Sequence, residues 1–358
     1  MSKKPYRMVT GIGSFPFKKE DDALELIFKY LPLIPHWPQL PAVSTSESFV
    51  EQYLYPLIKV EAIKMRKKGS PFFDSEDPEF LNKLTDFYNL YLRAKDKEEE
   101  ALSNFTMPHH SASGFYAFIN RLKNKGTGRA VFLKGQISGP VTLGLWLTDG
   151  KRQPAFYQEQ FRDILVKTLQ LQLEWQIKEL KQFGLPTIIF IDEPSLCLFG
   201  QAPYVGLSRD EIKESLAMLI ETIHLQGAMA GVHACSGIDW AILTELEVDI
   251  INFDAFNYFE SLLVYNDSLI EFYKKGGIIA WGIVPTDDQS LEESRDNIIK
   301  RLDKYFNNLI KKGFSEDLIK KQLMITPSCG SGTLSKELTE KIHCLTWELQ
   351  SYLNNGNL

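Results

Sequence analysis

An imidazole and a thiol two residues apart, His233-Ala234-Cys235 followed by Ser236-Gly237, form a pair able to share one soft metal ion. The apolar run Met229 to Val232 leads into them, so the pattern predicts a buried strand that ends in a turn. Side chains two apart on a strand point the same way. A second thiol lies in a glycine turn, Pro327-Ser328-Cys329-Gly330-Ser331-Gly332, and a carboxylate, Asp254, follows another short apolar run. One His, two Cys and one carboxylate suit Zn²⁺, and thiolates select against magnesium and calcium. Two thiolates with a carboxylate carry more negative charge than a divalent cation neutralises. Such a centre activates water poorly but can hold a substrate thiol deprotonated near neutral pH, so the chemistry expected is thiol alkylation rather than hydrolysis. Each residue also has a plainer use: His233 and Cys235 as core, Asp254 as a helix cap, Cys329 packed beneath its turn.

The elements that must position these groups alternate. Ala130–Gly135, Thr187–Ile191, Met229–His233, Asp249–Phe253, Ile278–Val284 and Leu323–Thr326 read as strands, most followed by helices such as Ser208–Gln226. There, Ser208 and Glu211 make a capping box. Arg7–Gly13 and, more poorly, Gln39–Val43 (weakened by Pro38 and Pro41) add two strands at the front. Between residues 47 and 124 no convincing strand is read, only helical runs over 49–68, 78–105 and 114–123. The charge run Arg93 to Glu100 reads as a solvated face. Alternating strands and helices imply a parallel sheet. Eight of them predict an α/β fold, a (β/α)₈ TIM barrel forming one domain over 1–358, with a helical insertion after the second strand. An open doubly wound sheet would carry a glycine-rich dinucleotide loop after its first strand, and Gly11-Ile12-Gly13-Ser14 before Pro16 is not one. In a barrel the active site gathers at the C-terminal strand ends: here Ser14, Asp192-Glu193-Pro194, His233 with Cys235, Asp254 and Cys329. Adjacent carboxylates on a strand face opposite ways, so one of Asp192 and Glu193 should face the mouth.

Composition sets the bounds. The 358 residues carry a formal charge of −6, without the basic stripe of a nucleic-acid binder. Four cysteines are too few for a disulfide framework. No apolar stretch reaches the roughly 20 residues of a membrane span, and the start lacks a secretory apolar segment. A cytoplasmic protein, with cysteines for metal or catalysis, is the expectation.

The stretches Ile12-Gly13-Ser14-Phe15-Pro16, Val50-Glu51, Ser138-Gly139-Pro140-Val141-Thr142 with Trp146, Ile191-Asp192-Glu193-Pro194, His233-Ala234-Cys235, Asp249 to Asp254 and Thr326-Pro327-Ser328-Cys329-Gly330 run through nearly the whole chain. In that order the sequence resembles the C-terminal catalytic barrel of cobalamin-independent methionine synthase, within the group that includes uroporphyrinogen decarboxylase-like barrels. The resemblance implies a zinc methyltransferase of methionine biosynthesis, with metal on His233, Cys235 and Cys329. The family's glutamate ligand aligns with Asp254. It implies a homocysteine site at the Ile12 backbone, Ser14, Glu51 and the catalytic Asp192, and places Trp146 near the methyl-donor face.

Three features depart from the family. Asp254 is one methylene shorter than glutamate, the second barrel of the full-length enzyme is missing, and Val284 stands where the family has a proton-donating histidine. A folate amine leaves only if protonated, whereas a methylcorrinoid leaves as Co(I) and needs no acid. The expected donor is therefore methylcobalamin or a corrinoid protein rather than methyltetrahydrofolate; His109-His110 could supply an acid only from outside the motif. Other readings are a zinc methyltransferase for another thiol such as coenzyme M, a decarboxylase of the uroporphyrinogen type, and a non-catalytic zinc-binding barrel. An acidic pocket would repel a sulfonate, and no arginine cluster near the first strand serves a decarboxylase.

Overall fold

The computed structural model describes residues 3–66 and 69–354. Its strands are β1 (Met8–Val9), β2 (Ile63–Met65), β3 (Pro71–Phe73), β4 (Leu133–Ser138), β5 (Thr187–Asp192), β6 (Met229–Ala234), β7 (Ile250–Phe253), β8 (Ile278–Val284) and β9 (Leu323–Pro327). Seven form one curled parallel sheet in the order β1-β9-β8-β7-β6-β5-β4. Strands β4 to β9 are buried along almost their full length, which is why most of them read as largely apolar runs with single polar residues inside. Helices cover the outer face. Arg295–Lys311 shows the reason: Ser294 accepts from the Asn297 N–H to cap it, and Ile298, Leu302, Tyr305, Phe306 and Leu309 place one apolar stripe on the sheet. Burying each such side chain contributes about 1.5–3 kcal/mol. Among the described residues no helix is long and apolar enough to cross a membrane.

The second expected strand, Gln39–Val43, is not one. The pairing lies earlier, at isolated bridges made by His36 and Gln39, and residues 41–43 form a turn. Prolines 35, 38 and 41 each remove an N–H, so no regular ladder forms. The stretch 33–39 still spans the gap between the two outer strands. The N–H of Lys134 donates to Pro35 O at 3.0 Å on one side, while Gln39 N–H donates to Gly13 O at 3.0 Å and Phe15 N–H to Gln39 O at 2.9 Å on the other. The first strand is also shorter than expected, with only Met8–Val9 regular and Ser14 joined by a single bridge.

The inserted segment departs further. Instead of a helix over 49–68 it has short turns, the helix Tyr55–Lys59 and an antiparallel hairpin, β2 against β3. Glu61 at φ 57° ends the helical path, and Gly69 at φ 87° turns the hairpin. Phe73 on β3 stacks on Phe161 at 4.3 Å, and this packing outweighs local helix preference. The run over 78–105 divides into Phe80–Lys95 and Glu99–Ser103, broken where Lys97 takes φ 68°. The charge run there is solvent-facing apart from Ala94.

Inside the curl, residue character changes with height. Ile34, Phe132, Ile188, Ile250, Ile278 and Met324 form an apolar cluster with Phe190 and Ala280 at the base. With the period-two alternation of a strand, polar side chains lie above them: Lys134 and Gln136 on β4, Asp192 on β5, His233 on β6, Asn252 on β7 and Thr326 on β9. The apolar base fixes the register.

Candidate active site

His233 is the penultimate residue of β6, Cys235 follows the strand directly, and Cys329 lies two residues beyond β9. Two strands separate β6 from β9 in the sheet, yet curvature brings the ligand atoms of these three residues within 4.8 Å of one another. Around a tetrahedral zinc, N and S ligands would be about 3.3–3.8 Å apart, so small side-chain adjustments would suffice. The donor set itself suits a soft ion.

Asn252 decides which nitrogen of His233 is available. Its amide Nδ2 donates to the Ala280 carbonyl at 2.8 Å and lies 2.8 Å from Thr326 Oγ1, which turns Oδ1 toward His233 Nδ1 at 2.5 Å. An amide oxygen only accepts, so Nδ1 carries the proton and Nε2 keeps a lone pair for a metal. The thiols differ in proton affinity. Cys329 is held below the usual thiol range because the Cys235 S–H donates to it, and that bond together with burial pushes Cys235 up. Burial opposes charge on His233, but contact with Cys235 and the field of Asp192 outweigh it and raise the imidazole.

Asp254 lies outside this trio. Its Oδ1 accepts from the Asn257 N–H at 2.9 Å and its Oδ2 from Asn257 Nδ2 at 2.8 Å, capping the helix Ala255–Leu262. Among the described residues the group whose ligand atoms could hold a metal is His233, Cys235 and Cys329.

A cavity of about 380 Å³ opens over the trio, within the usual range for small-molecule sites. Ile12, Ser14 and Asp192 line it with the three candidate ligands; Glu51 and Trp146 do not. Glu51 is half-buried, and burial raises its carboxyl above the usual range. Trp146 is 60% exposed and meets Phe49, a wall residue, edge-on at 5.4 Å, so it stands at the lip. Of the paired carboxylates, Asp192 faces the cavity. Its Oδ1 is sealed and unpartnered, and desolvation lifts it to about 6. Glu193 points away and accepts from the N–H groups of Val141 (2.9 Å) and Thr142 (2.8 Å) and from Thr142 Oγ1 (2.6 Å), tying β5 to the helix Pro140–Trp146. Gly139 makes room for it, since a Cβ there would sit 2.1 Å from Glu193 Oε1.

The glycine turn after β9 fastens the opposite wall. Ser331 donates to Ser14 O through both N–H and hydroxyl at 3.0 Å, and Gly332 N–H reaches Ser14 Oγ at 3.3 Å. A Cβ on Gly330 would meet Ser14 Oγ at 2.1 Å. Val284 is buried at the end of β8 and brings no titratable group.

No protein-family model matches the sequence, and a search of curated proteins finds no match. Solved structures do resemble it. A B12-independent methionine synthase from Shewanella sp. W3-18-1, in complex with selenomethionine, aligns with 20% identity over 66% of this chain and 66% of that one, at a TM-score of 0.45. A structure described as a vitamin-B12 independent methionine synthase from Listeria monocytogenes aligns with 17% identity over 66% of this chain and 68% of that one, at 0.43.

Sequence reading missed Asn252, Lys134 and Phe49. The first two had a visible signal, a polar residue inside an apolar strand run (Ile250-Ile251-Asn252-Phe253 and Phe132-Leu133-Lys134). Phe49 had none.

Proposed function

We propose that this chain is a zinc-dependent thiol methyltransferase whose acceptor is homocysteine, built on an eight-membered (β/α)₈ barrel in which 33–39 serves as the second strand. One observation carries the reading: a His-Cys-Cys trio and the carboxylate of Asp192 open into the same cavity. Bound zinc would hold the acceptor sulfur as a nucleophilic thiolate near neutral pH. His233, Cys235 and Cys329 supply three ligands, and with Asp254 engaged at its helix cap the fourth position is left for that sulfur. Asp192 accepts the acceptor's ammonium group, and Ser14 with the Ile12 backbone takes the other end of the amino acid. Wall residues Phe49 and Pro194 keep bulk water off the sulfur.

For the donor, Val284 offers no proton, so the reading that needs no acid at that position is a methylcorrinoid. The solved structures lend it no support, since both are described as B12-independent enzymes. Among the described residues no arginine or lysine lines the cavity, which disfavours both a sulfonate acceptor and a decarboxylase that clamps carboxylates.

The test is a zinc X-ray absorption spectrum with and without homocysteine, followed by turnover with methylcobalamin or methyltetrahydrofolate. Gain of one sulfur ligand is expected. An unchanged spectrum points to a closed, structural metal and overturns the reading, while turnover with folate alone overturns the corrinoid donor.

A further inference from the structure

Lys134 is fully buried inside the curl, one inner-face position above Phe132 and beneath the cavity floor. Its ammonium donates to the Ile12 carbonyl at 2.5 Å and rests over the Phe190 ring, 4.5 Å from the centroid. Asp192 is the next inward residue on β5 after Phe190, and the two opposite charges act on each other. Burial pulls the ammonium down to about 8, so it keeps its proton at neutral pH.

Stability does not account for this charge. Removing an ammonium from water costs several kcal/mol, and a hydrophobe of similar volume in such a place is often neutral or stabilising. The neighbours at this level, Phe132, Ile188 and Phe190, would pack readily against one. Its contacts point upward instead. Backbone bonds hold the first wall at Thr10 N–H, which donates to Ile325 O, and again at Gly13 O. Between them runs Gly11-Ile12, and there Lys134 holds the carbonyl. The same ammonium lies below Asp192, out of hydrogen-bond reach, and acts on it only through its charge, while Asp192 Oδ1 has no hydrogen-bond partner.

We propose that Lys134 is a positioning residue for an amino-acid acceptor, fixing the Ile12 carbonyl by its hydrogen bond and placing a positive charge beneath the Asp192 carboxylate, where the acceptor's amino-acid end must dock. This rests on the acceptor site assigned above. Lys134 is sealed from the cavity and acts only through those two groups. It therefore governs recognition of the ammonium and carboxylate, not capture of sulfur.

That division gives the experiment. Zinc-loaded protein, wild type and Lys134→Met, is titrated calorimetrically with homocysteine and with 1-propanethiol, which has the sulfur but no amino-acid end. The variant should keep its zinc stoichiometry and propanethiol affinity and bind homocysteine roughly tenfold more weakly, the loss expected when a charge-assisted hydrogen bond goes. An unchanged preference for homocysteine over propanethiol, or an equal loss for both thiols, overturns the proposal and leaves the acceptor site standing. Wild type that binds neither thiol overturns both. If Lys134→Met does not fold, Phe190→Leu keeps the ammonium but removes the ring beneath it. It should lower the same preference about threefold, and no change there also overturns the proposal.

Discussion

Replacing Asn252 by leucine removes the group that orients His233 while nearly preserving volume. Asn252 is fully buried and has three polar partners: His233 Nδ1 at 2.5 Å, and the Ala280 carbonyl and Thr326 hydroxyl, both at 2.8 Å. The hydroxyl can rotate and the carbonyl keeps a second lone pair, but the imidazole N–H is left with nothing to donate to. One or two such stranded groups at about 1–3 kcal/mol each give a folding loss of about 2–4 kcal/mol. Loss of orientation at a metal-binding histidine lowers metal affinity about 10–100-fold, or roughly 1.4–2.8 kcal/mol. Competition against a chromophoric zinc chelator measures the second quantity, and urea unfolding of metal-free protein measures the first. Asn252→Asp separates the two effects. It keeps an acceptor for Nδ1 but turns an oxygen toward Ala280 O, so zinc affinity should survive while stability falls. A folded Asn252→Leu protein with wild-type zinc affinity would refute the role assigned to this side chain.

Three further outcomes are expected. Asp254→Asn should keep full zinc content and, because Asn caps as well as Asp, near wild-type stability, whereas Cys329→Ser should lose the metal; elemental analysis of the two side by side checks this. Gly139→Ala should cost more than 2 kcal/mol in urea unfolding, because its methyl group meets the buried Glu193 carboxylate. At the far end of the sheet, His224 Nε2 lies 2.9 Å from Asp249 Oδ2, and Lys4 reaches Oδ1 at 3.1 Å. The hydrogen bond that His224 donates to Asp249 raises the imidazole, so its contribution to stability is complete below the ordinary histidine pKa and is lost as pH rises through the raised one. Asp249 is held low, its burial outweighed by His224, so its own contribution persists above the ordinary carboxylate range. His224→Gln should therefore lower the urea midpoint at pH 5 and leave it nearly unchanged at pH 9.

What the sequence made legible follows from what each element needs locally. Strands β4 to β9 could be read because burial on both faces demands mostly apolar runs, and their ends then pointed to His233, Cys235 and Cys329. Alternation showed that only one of Asp192 and Glu193 could face the mouth but not which, and what Glu193 does was hidden, since its partners Val141 and Thr142 lie about fifty residues earlier. The stretch 33–39 escaped because its prolines break the pattern that defines a strand, leaving its pairing to tertiary geometry. The β2–β3 hairpin escaped because Ile63-Lys64-Met65 suits a helix as well as a strand, and only Phe73 packing on Phe161 decides between them. For Asp254 the sequence offered two uses, metal ligand and helix cap, and only the fold shows its carboxylate capping Ala255–Leu262.

The prolines that hide 33–39 also leave the sheet with a thin seam. Elsewhere neighbouring strands share up to six paired positions, as β4 and β5 do, but here a few isolated bonds carry the join. Gln39 sits in that seam and lines the cavity, and its side chain runs through Gln52 to the Ser111 carbonyl in the insertion. Deuterium should enter the amides of Phe15 and Gln39 ahead of those in β5 to β8. The cavity wall can then breathe on the side where the insertion grips it, while the half that carries the thiols stays rigid.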